Sequence, residues 1–216
     1  MSEDTEISIT EWRTSLEKLG EVLTSISREV GLEGLISSLS RRIKSASELL
    51  GSEKIKALII KNEHALAFIA ASTDEIKKFV TVKTQAGLVR IPIYSRDFYV
   101  TQVGPYGMKC TCDDALITSA KADNSLINIA RTLETNFSDM KPLPISSRYT
   151  ICKHALALTS LLSKLGIVRL EDPRFVKVLR LSVVVLALRE GLINQRLLKE
   201  SETLTMLINE LTRSGV

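Results

Sequence analysis

All three cysteines of the chain belong to two short pairs of residues that commonly bind metals. The first pair is Cys110 and Cys112, the second is Cys152 and His154, and one residue separates the members of each pair. Three thiolates and an imidazole form a donor set that tetrahedral zinc takes at closed structural sites. The spacing predicts that these four side chains bind one Zn²⁺ ion, provided that the chain turns sharply at both pairs.

The same residues have a simpler interpretation as ordinary core residues, since a free cysteine is often a small buried apolar side chain. That interpretation does not explain why the cysteines and the histidine occur in two pairs with the same spacing. It also does not explain why every cysteine of the chain belongs to one of these pairs. A disulfide would use two cysteines and leave an odd one, which argues against an oxidised framework. Because four protein ligands fill the coordination shell, we expect a structural metal and no catalytic one.

The elements that position the ligands can be predicted from their neighbours. A strand-like run at 98–103 and a turn at 104–107 lead to Cys110, which would then lie at the end of a strand. Thr150 can cap a helix that begins at Ile151. The second pair would therefore lie near a helix N-terminus, where the helix dipole and free amide groups favour a thiolate.

The long insert between the two pairs has structure of its own. Asp123 or Asn124 can cap a short helix, and prolines and serines at 142–147 make a loop that returns the chain to the metal. The apolar residues of this helix are Leu126, Ala130, Leu133 and Phe137. Lys109 and Lys153 flank the ligands and either offset the thiolate charge or are plain solvated lysines.

The Cys-x-Cys pair, the insert and the Cys-x-His pair that opens a helix together resemble the SWIM-type zinc finger. Ala157 follows His154 by three residues, and this Cys-x-His-x-x-Ala ending is similar to the SWIM-domain subunits of Shu-type recombination complexes, which also occur in archaea. The resemblance implies a role in homologous recombination and DNA repair. It also implies a hetero-oligomer with a RecA/RadA-like recombinase paralogue. It covers about the middle third of the chain, and the long insert departs from compact SWIM fingers.

The hydrophobic pattern predicts an α+β fold in three parts. Residues 1–51 are expected to form an N-terminal helical hairpin. Residues 52–166 are expected to form a small antiparallel β-meander that leads into the zinc finger, and residues 167–216 a C-terminal helical region. A helix at 54–71 stays open as an alternative to the first strands.

The predicted helices carry two kinds of apolar surface. Those at 8–30 and 32–50 have narrow seams, for which packing inside the chain is favoured over docking of a partner's helix. C-terminal helices are expected at 174–189 and 192–213. The first of these is apolar nearly all round, which favours a partner protein, because so small a chain has little material to cover it.

Basic residues in and around the predicted strands support a second interpretation, in which the protein itself contacts nucleic acid. These residues are Lys54, Lys56, Lys77, Lys78, Lys83, Arg90 and Arg96. Tyr94 would be available to stack on a base. The simpler alternative is a solvated sheet face, and the formal net charge of +4 permits nucleic-acid contact without demanding it.

Composition and missing motifs limit the remaining function classes. The chain has 216 residues, of which 44% are hydrophobic and 25% charged, as in ordinary globular proteins. It has no phosphate-binding loop for ATP and no recognisable catalytic motif, so we expect no enzyme. His64, the only other histidine, is expected in a surface turn. Reduced cysteines, an N-terminus without a signal and short apolar runs predict a cytoplasmic or nucleoid-associated protein without membrane contact.

Two functions follow as hypotheses from these residues. In the first, the protein is a zinc-stabilised binding adaptor in homologous recombination that pairs with a RecA/RadA-like paralogue. In the second, it is a stand-alone SWIM-type nucleic-acid-binding protein, such as a DNA-binding regulator. The two hypotheses are compatible, because a heterodimer can build a joint DNA surface.

Overall fold

The fold is α+β, as predicted, with helices at the N-terminus, small antiparallel sheets in the middle and further helices at the C-terminus. The computed structural model of the protein describes residues 9–52, 54–71, 76–84, 87–94, 98–132 and 145–213. The predictions for Arg96, Leu133, Phe137, Pro142 and Pro144 lie outside the described residues.

The N-terminal helices are α1 (Ile9–Glu29) and α2 (Ile36–Leu50), which are joined by a short 3-10 helix, Glu33–Leu35. Their apolar seams face the interior of the protein and pack against each other and against later helices. The buried seam residues of α1 are Leu16, Leu19, Leu23 and Ile26. The seams therefore belong to the core, which confirms the favoured interpretation.

Six strands follow, and all are antiparallel to their neighbours. They are β1 (Ile55–Lys61), β2 (His64–Ala70), β3 (Ile76–Thr84), β4 (Gly87–Tyr94), β5 (Phe98–Gly104) and β6 (Gly107–Cys110). The helical alternative for 54–71 is wrong, because β1 and β2 pair as an antiparallel hairpin. The strands also make two sheets where a single meander was expected. The order of the larger sheet is β1-β2-β5-β6, and β3 and β4 form a separate hairpin between β2 and β5 in the chain.

One helix lies inside the insert and another follows it, and both begin at other residues than predicted. Helix α3 (Asp113–Thr132) starts directly after Cys112 and not near Asp123. Asp113 and Asp114 lie in its first turn, where negative charge complements the helix dipole. A short 3-10 helix, Ile145–Arg148, then precedes α4 (Lys153–Lys164), whose cap is Cys152 and not Thr150.

Three C-terminal helices replace the predicted two. Helix α5 (Pro173–Glu190) begins after the Asp172 cap, and α6 (Gln195–Glu200) and α7 (Glu202–Arg213) divide the segment that was expected to be one helix. The break falls at Ser201, whose backbone is extended. The Ser201 hydroxyl oxygen accepts a hydrogen bond of 3.2 Å from Leu204 N, so this residue caps the last helix.

Helix α5 occupies the centre of the helical part of the molecule. It packs against α1, α3 and α7, and its residues from Leu181 to Leu188 are all buried. The chain therefore covers this apolar helix by itself, and the helix no longer argues for a partner. One hydrophobic core contains residues of all three predicted segments, among them Leu23, Leu156 and Val183. Within the described ranges, no helix combines the length and the apolar character that a membrane span requires.

Candidate metal centre

The first ligand pair lies where the larger sheet ends and α3 begins. Cys110 is the last residue of β6 and pairs with Thr101 on β5. The Thr101 hydroxyl lies 3.2 Å from Cys110 Sγ, and the backbone N–H of Cys112 points at the same sulfur over 3.4 Å. This bend at the strand end turns both thiols to one side, as the one-residue spacing requires.

The second ligand pair lies at the start of α4, in the predicted environment. Cys152 is the N-cap residue, and its Sγ accepts a hydrogen bond of 3.4 Å from the backbone N–H of Ala155. His154 lies in the first turn and is buried. Because the first amide groups of a helix lack backbone acceptors, this position favours a thiolate.

A close contact between two backbone segments brings the pairs together. The segment before α4 runs beside β6, and Thr150 N donates a hydrogen bond of 2.9 Å to the Met108 carbonyl oxygen. A Cβ atom on Gly107 would lie only 2.6 Å from the Arg148 carbonyl oxygen. Glycine at position 107 therefore allows β6 and the segment before α4 to approach closely. This approach brings the two pairs of candidate ligands, which are far apart in the sequence, into one cluster.

The four donor atoms lie within 4.8 Å of one another. Cys110 Sγ and His154 Nδ1 are 3.7 Å apart. A tetrahedral ion with a metal–sulfur bond of about 2.3 Å and a metal–nitrogen bond of about 2.0 Å would separate the sulfur and the nitrogen by about 3.5 Å. Cys112, Cys152 and His154 are buried, and Cys110 is partly exposed. The donor set and its spacing therefore fit a metal ion with four protein ligands, as the sequence predicts.

The ionisation of the three thiols shows why a cation suits this position. Hydrogen bonds from the thiols of Cys112 and Cys152 hold the pKa of Cys110 far below its usual range. The interaction with Cys110 raises the pKa of Cys112, and burial raises the pKa of Cys152. Thiolates this close to one another repel strongly in a desolvated site. A divalent cation removes this conflict.

Neighbouring side chains hold the ligands in place. The Tyr99 ring lies 4.9 Å from the His154 ring, centroid to centroid, at an interplanar angle of 42°. Thr159 lies one turn and a half further along α4 and donates a hydrogen bond of 3.5 Å to the Met108 sulfur. Ala157 is fully buried on α4, which packs against α1 and α2. Its small side chain suits this close packing of three helices.

The predicted basic residues are divided between the two sheets. Lys54 and Lys56 are exposed at and just before β1, an edge strand. The other described members lie on the β3–β4 hairpin and are Lys77, Lys78, Lys83 and Arg90. His64 begins β2 and does not lie in a turn. Its ring is half-buried and stacks on Tyr106 with a centroid distance of 5.9 Å.

A cavity of about 570 Å³ beside the metal ligands was not foreseen from the sequence. It lies between α2 and the ends of α3, α4 and α5, and Cys112 and His154 form part of its wall. One sequence signal could have indicated it. Ser38, Arg41, Arg42 and Ser45 are spaced by three, one and three residues, which puts a polar stripe on one face of α2.

Comparison with protein-family models, with curated proteins and with solved structures finds no match for this chain. The site and the fold define an α+β protein with a buried Cys₃His cluster that is compatible with metal binding. The resemblance to SWIM zinc fingers rests on the ligand pattern and stays a prediction.

Proposed function

We propose that this protein is a zinc-stabilised binding adaptor that pairs with a RecA/RadA-like recombinase paralogue in homologous recombination and DNA repair. The observation that carries the proposal is the Cys₃His cluster, whose four donor atoms lie within 4.8 Å of one another. Thiolate and imidazole donors in tetrahedral arrangement suit zinc better than magnesium or calcium. When bound, the ion supplies a crosslink between β6 and the start of α4.

A closed coordination shell assigns the metal to folding and not to catalysis. A catalytic zinc keeps a position for water or substrate, whereas three thiolates and one imidazole occupy all four positions. The function then depends on surfaces that the metal holds in place. The recombination role itself is supported by the Cys-x-His-x-x-Ala ending at Ala157 and by no other residue in the chain.

Exposed apolar side chains on the sheet support a protein partner. Ile59 and Ile60 of the edge strand β1 are 57% and 42% exposed, although they point to opposite faces of the sheet. An edge strand also offers unpaired backbone groups to another chain. The partner surface that we propose therefore lies on β1 and not on the apolar helices.

Affinity purification of the tagged protein from its own cells, with mass spectrometry and metal analysis of the eluate, tests the adaptor function. We expect one equivalent of zinc and a stoichiometric RecA-like ATPase. Replacing Ile59 with glutamate should remove the ATPase and leave the zinc content unchanged. Met206→Glu is the matched control, because Met206 is 65% exposed on α7, away from the sheet. Zinc without any protein partner would refute the adaptor and leave the second function.

Stand-alone nucleic-acid binding is the second candidate. Two observations favour it. Lys54 and Lys56 are exposed, and the sequence of the β3–β4 hairpin contains four further basic residues. Binding of single-stranded DNA by the isolated protein should then weaken steeply with salt, because each phosphate contact releases a counterion. Replacing Lys54 and Lys56 with glutamine should make that salt dependence shallower. DNA binding that requires the co-purified ATPase would contradict this candidate.

A further inference from the structure

The cavity beside the metal ligands has a wall made of four helix segments. The polar stripe on α2 forms one side, and the first turns of α3 and α4 and the last turn of α5 form the others. The charged residues of the wall are Arg41, Arg42, Asp113, Asp114, Lys153, Arg189 and Glu190. With a volume of about 570 Å³, the cavity has the size of a small-molecule site.

Four of these charges neutralise one another. Asp114 forms ion pairs with both Arg42 and Arg189, and Arg189 Nη1 also donates a hydrogen bond of 2.6 Å to the Thr118 hydroxyl. Glu190 lies 4.0 Å from each of the two arginines and accepts a hydrogen bond of 3.4 Å from Ser38. Two cations and two anions thus form a network with no net charge.

The remaining cations of the wall have no such counter-ion. Among the described residues, neither Arg41 nor Lys153 takes part in an ion pair or a side-chain hydrogen bond, and both side chains are exposed. They lie on α2 and α4, on different sides of the cavity. Arg42 adds a buried Nε–H that has no hydrogen-bond partner within the described residues. A buried donor without a partner is uncommon, and an ordered water or a ligand oxygen usually satisfies it. Arg180 Nε, which does not line the cavity, is in the same position, so the argument for an anion rests on Arg41 and Lys153.

We propose that this cavity binds a phosphate monoester, with Arg41 and Lys153 as its direct charge partners. A phosphate monoester carries about two negative charges near neutral pH, and its oxygens accept several hydrogen bonds. Arg41 and Lys153 attract this charge, whereas Asp113 and the net negative charge of a zinc ion with three thiolates reduce the attraction. Ser45 on the same stripe offers a hydroxyl group, whereas the Ser38 hydroxyl already donates to Glu190. The site is independent of the adaptor function, and either of two sources can supply the group: a free nucleotide or the 5′-phosphate end of a nucleic-acid strand.

Asp113 distinguishes an anion site from a cation site. It is the one carboxylate of the wall outside the neutral network, and it lies in the first turn of α3. A bound phosphate would be repelled by this carboxylate, whereas a bound cation would be attracted. Replacing Asp113 with asparagine should therefore tighten phosphate binding severalfold.

Isothermal titration of the zinc-loaded full chain tests the site, with inorganic phosphate and deoxyadenosine 5′-monophosphate as probes. We expect saturable binding of both, and no binding of deoxyadenosine. Arg41→Gln and Lys153→Gln should each weaken binding by about tenfold, because each removes a charge-assisted hydrogen bond. Lys44→Gln on α2 and Lys109→Gln beside Cys110 are matched controls, since both side chains are exposed and neither lines the cavity. Their affinities should change less than twofold.

Metal analysis of each variant separates this site from the metal centre, since all of them should keep one equivalent of zinc. A 5′-phosphorylated oligothymidine that binds more tightly than its 5′-hydroxyl form would identify a strand end as the source, and preference for the mononucleotide would identify a free nucleotide. Three outcomes would overturn the site: no saturable binding of the phosphate probes, equal weakening by the control variants, or tighter binding of an acidic peptide than of phosphate.

Discussion

At the scale of single residues, the Cys₃His cluster is the group of side chains that fits a metal ion. Two of the three sulfurs have a backbone N–H directed at them, since Cys112 N points at Cys110 Sγ and Ala155 N donates to Cys152 Sγ. Such contacts orient ligands and reduce the charge on the thiolates. The four side chains therefore form a cluster that fits a metal ion, and we expect their loss to affect folding.

Replacing Cys152 with serine should abolish metal retention and destabilise the fold. Zinc binding at structural sites contributes about 10 to 16 kcal/mol in zinc-finger peptides, which is as large as the whole stability of a typical domain. We expect no zinc by elemental analysis and a much lower unfolding temperature by circular dichroism. Lys109→Gln, beside a ligand, should behave as the wild type. A serine variant that keeps one equivalent of zinc would contradict the assignment of Cys152 as a ligand.

Gly107 has a steric role that a single methyl group can test. Its φ angle is +156°, and an added Cβ would lie 2.6 Å from the Arg148 carbonyl oxygen. Gly107→Ala should therefore cost about 2 kcal/mol in the free energy of unfolding. It should also weaken zinc binding in a competition titration, because the segment before α4 is pushed away from β6. In Gly51→Ala the nearest atom would be 3.8 Å away, so that variant should be close to neutral.

At the scale of secondary-structure elements, Asp114 joins three helices. It lies in the first turn of α3 and pairs with Arg42 of α2 and Arg189 of α5. Burial raises the pKa of this carboxyl, but the two guanidinium groups outweigh burial and hold it below the usual aspartate value. Because the pKa is lower in the folded than in the unfolded state, the ionised carboxylate stabilises the fold. This contribution is complete above the ordinary pKa of about 3.9 and is lost as the pH falls toward the lower folded-state value.

Asp114→Asn should lower the free energy of unfolding at neutral pH by about 2 kcal/mol, since two guanidinium groups lose their shared partner in a partly exposed position. The difference from the wild type should shrink as the pH falls below about 4, where the wild-type carboxylate also becomes protonated. Urea unfolding at a series of pH values measures both effects. Asp113→Asn changes the neighbouring residue of the same turn and should show no such loss. A difference that is independent of pH would refute the ionic role.

At the scale of the whole molecule, the metal centre and the helices share one core. The ligand helix α4 packs against α1 and α2, and α5 packs against α1, α3 and α7. Leu179 of α5 is fully buried in this core. Leu179→Ala should therefore destabilise the protein by about 3 kcal/mol, because it leaves a cavity. Met206→Ala on the exposed side of α7 should change the stability by no more than about 0.5 kcal/mol.

The same variant pair tests how far the metal centre depends on the rest of the fold. Since the core is continuous from α5 to the ligand helix α4, Leu179→Ala should also make the protein lose zinc at a lower chelator concentration. Thermal unfolding at increasing chelator concentrations measures, for each protein, the concentration at which the stability that depends on zinc is lost. Zinc loss that is the same in the wild type and in Leu179→Ala would show that the site is energetically separate from the helical core.

The sequence by itself determined what depends on neighbours along the chain. The ligand pairs could be recognised because a one-residue spacing and a complete Cys₃His set are local features. The seam of α1 follows from periodicity, since a repeat of three and four already decides which residues share a face. Residues 54–71, in contrast, stayed open between a helix and strands. Asp172 before Pro173 and Gly191 after Glu190 likewise mark the ends of α5.

Only the tertiary structure decided what depends on contacts between distant segments. Asp114 in the first turn of α3 pairs with Arg42 of α2 and Arg189 of α5, and these partners lie far from it in the sequence. The apolar helix α5 needs no partner, because α1, α3 and α7 surround it. The cavity beside His154 exists because four helix segments meet there. The physical reason is the same in each case: burial and ion pairing are properties of surfaces that meet only after the chain has folded.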